Sequence, residues 1–142
     1  MAGRTVLQGG QAKAYRPLAH HDRWSAFEKA VAAYERGDFF LAHELLEPAW
    51  MGTDDETERD LHQGLIKLAA AYVHAVRGNP GGVVKNLTGA RARLANALAS
   101  GSTNGGLDLA ALVAAVDDRL ALLARSSPEG AIDPPPLIRM PA

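Results

Sequence analysis

Apolar residues recur every three or four positions through five separate stretches of this chain, and this spacing constrains the fold most. The first stripe comprises Trp24, Phe27, Val31 and Tyr34. A repeat of 3.6 residues places such side chains on one face of an α-helix. No stretch shows the strict alternation that is typical of a half-buried strand. The sequence therefore predicts an all-α fold, a compact bundle of about five helices followed by a Pro-rich C-terminal tail.

Capping and turn residues predict where these helices begin and end. Asp22 and Asp38 are predicted as the N-caps of the first two helices, and Gly37 ends the first. Thr53 and Glu56 have the spacing of a capping box and predict the start of the third helix. The remaining predicted boundaries are Gly78, Asn79-Pro80 and Asp108.

The periodicity also predicts how the chain is divided. Residues 1–20 lack it and are expected to form a flexible N-terminal leader, while residues 21–125 form the helical domain. Residues 126–142 are Pro-rich and are expected to be an extended tail. The apolar pair Leu137-Ile138 favours a segment laid on the bundle, with an unattached tail as the alternative.

Composition excludes several classes of function. The formal net charge of −1 gives no electrostatic argument for nucleic acid or an anionic membrane as a partner. The absence of cysteine excludes disulfides and cysteine nucleophiles. The first twenty residues lack the apolar core of a signal peptide, and no apolar run approaches the length of a membrane span, so a cytoplasmic location is expected by default. The expected partner is a small ligand or a protein, and wide apolar helix faces leave a homodimer open.

Three polar residues interrupt the apolar run 39–50: His43, Glu44 and Glu47. On a helix His43 and Glu47 lie one turn apart, and Trp50 lies one turn further along the same stripe. Burying such groups costs several kcal/mol unless they are paired. Pro48 cannot donate to the Glu44 carbonyl, so that carbonyl is expected to be free for another partner.

The chain resembles a known family at this run and at the helix that follows it. The similar residues are Gly37 through Glu47, Trp50, Gln63-Gly64-Leu65-Ile66, Ala69-Ala70-Ala71, His74 and Gly78 through Gly82. Their order is similar to the small helical proteins of bacteria and archaea grouped as domain of unknown function 309. The resemblance covers roughly residues 24–98 and implies a compact helical fold, but it implies no activity.

Carried over residue by residue, the family signature falls on His43, Glu44, Glu47, Trp50, Gln63 and Gly64, with His74 a weaker match. Lys67 departs from it, because the family often has a second glutamine there. This cation could pair with Glu44 or Glu47, or it could mean that a neutral site elsewhere in the family is altered in this chain.

The polar residues have three interpretations. They could form a structural network between the second and third helices, in which the carbonyl freed by Pro48 accepts from Gln63 or Trp50. They could instead line a ligand pocket, or act as a metal or acid/base site. The spacing is not HExxH, so no metal site is assigned, and the catalytic residues and cofactors stay unknown. The working hypothesis is a non-catalytic binding or interaction module with a His/Glu/Gln cluster between helices two and three. The alternative is a metal-assisted or acid/base hydrolase that uses His43, Glu44 and Glu47.

Overall fold

The computed structural model describes residues 4–8, 10–101, 105–125 and 133–140. These residues form two strands and five helices. The bounds are β1 Arg4–Gln8, β2 Gln11–Tyr15, α1 His20–Glu35, α2 Phe39–Met51, α3 Glu56–Val76, α4 Pro80–Ala99 and α5 Leu109–Arg125. The predicted helical bundle is confirmed. No helix in the described part of the chain is both long and apolar enough to span a membrane.

The helices pack in the order in which they occur in the sequence. α1 packs on α2, α2 on α3, α3 on α4 and α4 on α5. α3 lies in the middle of this series, and more of its side chains are buried than those of any other helix described. Gly64 on α3 allows this close packing, because a Cβ atom there would lie 2.7 Å from the side chain of Leu94 on α4.

A two-stranded antiparallel hairpin precedes the bundle, so the prediction that no strand occurs was wrong. Gln8 pairs with Gln11 beside the connecting residues 9 and 10. The hairpin lacks the usual pattern because its buried position is the polar Gln8, whereas Leu7 is 69% exposed. The apolar Ala12 and Ala14 of β2 are exposed too, so the hairpin has no buried apolar face that the sequence pattern could indicate. The division into leader, helical domain and tail stays a prediction.

Two of the predicted helix starts were wrong. α1 begins at His20, and its N-cap Ala19 offers no side-chain bond, so Asp22 lies within the first turn. The preceding chain is fixed instead by its backbone, since Leu18 N–H donates to the carbonyl of Gly52 at 3.0 Å. This pairing places the helix start before Asp22.

At the start of α3, Asp55 is the N-cap and accepts from the backbone N–H groups of Thr57 and Glu58. The predicted capping box of Thr53 and Glu56 is therefore wrong, because Thr53 Oγ1 accepts from Asp55 N–H, before the helix. The Asp38, Asn79 and Asp108 caps are confirmed, since each side chain accepts from a backbone N–H three residues later.

Residues 133–140 lie along the bundle as an extended segment. Leu137 is buried, and Tyr34 Oη on α1 donates to the carbonyl of Pro135 at 2.7 Å. Asp108 N–H donates to the carbonyl of Ile138 at 2.8 Å, which ties the segment to the start of α5. Residues 126–132 and 141–142 of the predicted tail lie outside the described residues.

The close approach of α3 and α4 gives a stability prediction. Gly64→Ala should lower the free energy of unfolding by about 1–3 kcal/mol, because the new methyl group meets the buried Leu94 side chain and, at 3.2 Å, its backbone nitrogen. Gly81→Ala is the matched control, since its Cβ would have only Asn79 Oδ1 nearby, at 3.7 Å. That control should gain about 0.4–1 kcal/mol. Urea unfolding of both variants measures the difference. An unchanged free energy of unfolding for Gly64→Ala would contradict the prediction.

Candidate functional site

His43 lies on an outward-facing side of α2, between two carboxylates of its own helix. Its Nδ1 is 3.4 Å from Glu44 Oε1, and its Nε2 is 3.5 Å from Glu47 Oε1. Neither contact has hydrogen-bond geometry, and Nδ1 is buried without a hydrogen-bond partner. The His43 ring also stacks on Phe40, with centroids 6.4 Å apart. About half of each glutamate side chain is exposed, so this group opens to solvent.

Trp50 and Gln63 belong to a different group, which is centred on Gln8 of the hairpin. Gln8 Nε2 donates to Asp60 Oδ1 at 2.9 Å and to Gln63 Oε1 at 2.7 Å. Gln8 Oε1 accepts from Trp50 Nε1 at 3.1 Å and from Arg59 Nε at 3.4 Å. We call these five residues the Gln8 cluster. It joins the hairpin to α2 and α3, and of the six candidate residues it contains Trp50 and Gln63.

The expected acceptor for Trp50 and Gln63 was wrong. The sequence predicted the Glu44 carbonyl, freed by Pro48, but the Trp50 N–H donates to Gln8. Gln63 accepts through its side-chain oxygen rather than donating. Gln8, at the end of β1, satisfies both groups because that strand ends directly against α3.

Arg59 is fully buried in the Gln8 cluster and is held by backbone carbonyls. Its guanidinium donates to the carbonyls of Trp50 at 3.1 Å, Thr53 at 3.0 Å and Ala14 at 3.1 Å. It also lies over the Trp50 ring, 5.1 Å from the centroid. Burial lowers the pKa of Arg59. Trp50 is near the C-terminus of α2, so the negative end of that helix dipole faces the cation.

Arg93 extends the cluster to α4, because its Nη1 lies 3.1 Å from Asp60 Oδ1. Asp60 is therefore shared between the Gln8 amide and a guanidinium. Through these contacts one polar network joins the hairpin, α2, α3 and α4.

Lys67 lies apart from both glutamates that it could have paired with. Its side chain passes Gly89 of α4, where an added Cβ would meet Lys67 Cδ at 2.9 Å. Burial, followed by the charges of Arg93, Lys13 and Lys85, lowers the pKa of Lys67. Among the described residues Lys67 forms no ion pair. The six candidate residues therefore lie in three places. His43, Glu44 and Glu47 form one group on α2, which we call the His43 group. Trp50 and Gln63 belong to the Gln8 cluster, and Lys67 lies near the cations Arg93, Lys13 and Lys85.

A partly buried ion pair lies beside the Gln8 cluster. Arg23 on α1 makes a bidentate salt bridge with Glu58 on α3. Its Nε donates to Glu58 Oε2 at 2.6 Å, and its Nη2 donates to Oε1 at 3.1 Å. His62, which is fully buried, lies 3.0 Å from the same carboxylate through Nε2. Burial alone would raise the pKa of Glu58, but the hydrogen bonds from His62 and Arg23 outweigh it and lower the pKa to about 2.

Sequence reasoning missed Gln8, Arg59 and Asp60, which form most of the Gln8 cluster. Arg59 and Asp60 precede the apolar stripe of α3 and resemble the solvated charges of a first helical turn. Gln8 lies 52 residues from Asp60, and no pattern connects the two. In the described part of the chain, no three His, Asp or Glu side chains are placed so that they could hold a metal ion.

The fold and these clusters define a small helical-bundle protein with a polar network between consecutive helices. Residues 27–86 match the family model described as Domain of unknown function (DUF309). This match confirms the resemblance read from the motifs, and it extends from α1 into α4. The comparisons with curated proteins and with solved structures gave no match.

The Glu58 ion pair predicts how stability depends on pH. The pKa of the Glu58 carboxyl, about 2, lies below its ordinary value of 4.5, so the stabilisation is complete above about pH 4.5 and is lost as the pH falls toward 2. The difference corresponds to about 3 kcal/mol. Glu58→Gln should therefore lose stability at neutral pH and show a flatter stability curve between pH 5 and 2. Glu35→Gln, on the exposed surface of α1, is the control that should follow the wild type. If stability falls equally between pH 5 and 2 in Glu58→Gln and in the wild type, the lowered pKa of Glu58 is contradicted.

Proposed function

We propose that the protein is a non-catalytic interaction module that binds a segment of a partner protein. The observation that carries this proposal is a surface groove of about 260 Å³ between the α1–α2 turn and the end of α3. Its lining includes Asp38, Phe39, Phe40, Val73, Val76 and Arg77, and we call it the Phe40 groove. Phe40 is 57% exposed and Val76 is 79% exposed, which is unusual for adjacent large apolar side chains.

The charges beside the groove favour one kind of partner segment. Asp38 lies in the lining, and Phe40 stacks on His43, which carries Glu44 and Glu47 at its sides. An apolar side chain in the groove would therefore have carboxylates on its α2 side and the Arg77 guanidinium on its α3 side. The complementary segment presents an aliphatic or aromatic residue with a lysine or arginine on the side that faces α2.

The environment of the candidate residues supports binding over catalysis. A general acid/base pair works best in a recess where its pKa is shifted, but the His43 group opens to solvent along α2. Trp50 and Gln63 already have hydrogen-bond partners inside the Gln8 cluster. The half-exposed polar residues thus suit the rim of a binding surface.

Selection of random displayed peptides on the immobilised full chain tests this proposal. Enriched peptides should carry a large apolar residue next to Lys or Arg. Val76→Lys should weaken their binding at least tenfold, because it places a cation in the groove wall that repels the Lys or Arg of the peptide, without disturbing the core. Leu122→Lys is the matched control, since Leu122 is a 48% exposed residue on α5, outside the lining of the Phe40 groove. Failure to enrich such peptides, or equal binding by both variants, would overturn the proposal.

The hydrolase alternative remains a prediction and can be separated by one variant. If Glu47 is part of a binding rim, the purified protein should carry no stoichiometric metal, and Glu47→Gln should change the melting temperature by no more than a few degrees. Elemental analysis beside the melting curve measures both. A bound ion that Glu47→Gln releases without loss of stability would favour the hydrolase.

A further inference from the structure

We propose that the Gln8 cluster is a binding site for a primary carboxamide, which the chain's own Gln8 fills and the hairpin covers. This site is separate from the Phe40 groove, and the proposal does not depend on the function proposed for that groove.

The geometry around Gln8 matches a primary amide at all four of its hydrogen-bonding positions. Two acceptors, Asp60 Oδ1 and Gln63 Oε1, face the amide nitrogen at 2.9 and 2.7 Å. Two donors, Trp50 Nε1 and Arg59 Nε, face its oxygen at 3.1 and 3.4 Å. The indole and the guanidinium can only donate, so the amide cannot be reversed.

The same four groups disfavour other ligands. A carboxylate in this position would put an oxygen against the Asp60 carboxylate, and an ammonium group would lie against the Arg59 guanidinium. A tertiary amide would leave the acceptors of Asp60 and Gln63 without a donor, which is costly in a buried site. The arrangement therefore selects a group with two N–H donors beside a carbonyl oxygen.

The receptor residues and their occupant come from different parts of the chain. Trp50, Arg59, Asp60 and Gln63 lie within residues 27–86, the segment that matches the family model, whereas Gln8 lies on the preceding hairpin. Contacts other than Gln8 already position two of the receptor groups. Arg59 is fixed by the carbonyls of Trp50 and Thr53, and Asp60 is paired with Arg93. One donor, Arg59, and one acceptor, Asp60, would therefore stay in place if Gln8 left the site.

The hairpin has the features of a cover that can open. A two-stranded hairpin is at best marginally stable by itself. Its second strand is largely exposed, and Leu7 adds no apolar anchor. Besides Gln8, the base of the hairpin is held by Arg59 donating to Ala14 and by Arg16 N–H donating to the Met51 carbonyl at 2.8 Å. When the hairpin lifts, Arg59 loses the Ala14 carbonyl but keeps those of Trp50 and Thr53, and a carboxamide in solution can replace Gln8.

Full-length Gln8→Ala tests the site directly, with propionamide as the probe because it reproduces the deleted side chain. We expect saturable binding, seen as a shift of the Trp50 indole N–H signal in NMR spectra and as a rise in melting temperature. Propionate and N,N-dimethylpropionamide are the matched ligands, and both should bind at least tenfold more weakly. No saturable binding, or equal binding of dimethylpropionamide, would overturn the proposal.

Gly10→Val tests the cover and keeps the proposal testable should Gln8→Ala fail to fold. Gly10 has a φ of +78° and no atom near its Cβ position, so the substitution strains only the hairpin turn and leaves Gln8 in place. Propionamide should bind this variant more weakly than Gln8→Ala but at least threefold more tightly than the wild type. Equal affinity for Gly10→Val and the wild type would overturn the role of the hairpin.

The carboxamide could come from a glutamine side chain of a partner protein or from a free small amide. A capped peptide, tested on Gln8→Ala, distinguishes these two sources. Acetyl-Gly-Gln-Gly-N-methylamide carries its only primary amide on the glutamine side chain, and the Glu analogue is its control. Binding of the Gln peptide together with propionamide supports a glutamine of a partner protein as the ligand. Binding of propionamide alone supports a free small amide. Equal binding of the Gln and Glu peptides would overturn the carboxamide selectivity.

Discussion

The buried guanidinium of Arg59 is the interaction on which the arrangement of the other elements depends. A fully buried cation is costly unless its charge and its N–H groups are compensated. No carboxylate of the described residues pairs with Arg59, so the compensation comes from carbonyls at the end of α2, in the following turn and on the hairpin. These three segments must lie around one side chain of α3, which fixes where α2 stops and where the hairpin returns.

This constraint explains why polar residues lie between α2 and α3 at all. Apolar packing alone would let the two helices slide, whereas directed hydrogen bonds define one register. Trp50 contributes twice, because its ring faces the Arg59 guanidinium while its N–H reaches Gln8. The apolar core beside the cluster then packs at a fixed helix spacing, as the contact of Gly64 with Leu94 requires.

The sequence predicts those features that depend on neighbours within a turn or two. Helix periodicity located all five helices, and the proximity of His43 to Glu44 and Glu47 follows from helix geometry. The hairpin escaped prediction because its buried residue is a glutamine and its leucine faces solvent. The Gln8 cluster was not predicted because the hydrogen bonds of Gln8 join it to residues far away in the chain. Lys67 shows the same limit, since its surroundings are set by α4 and not by the helix that carries it.

The extended segment 133–140 contacts both ends of the series of helices. It receives a hydrogen bond from Tyr34 on α1, and the Asp133 carbonyl accepts from Arg119 on α5 at 3.1 Å. Helices stacked only on their sequence neighbours can separate one after another from either end, as repeat proteins do. In this protein the Arg23–Glu58 ion pair links α1 to α3, and segment 133–140 links α1 to α5. Detaching either terminal helix therefore also breaks its hydrogen bond to that segment, which favours unfolding of the described helices as one unit.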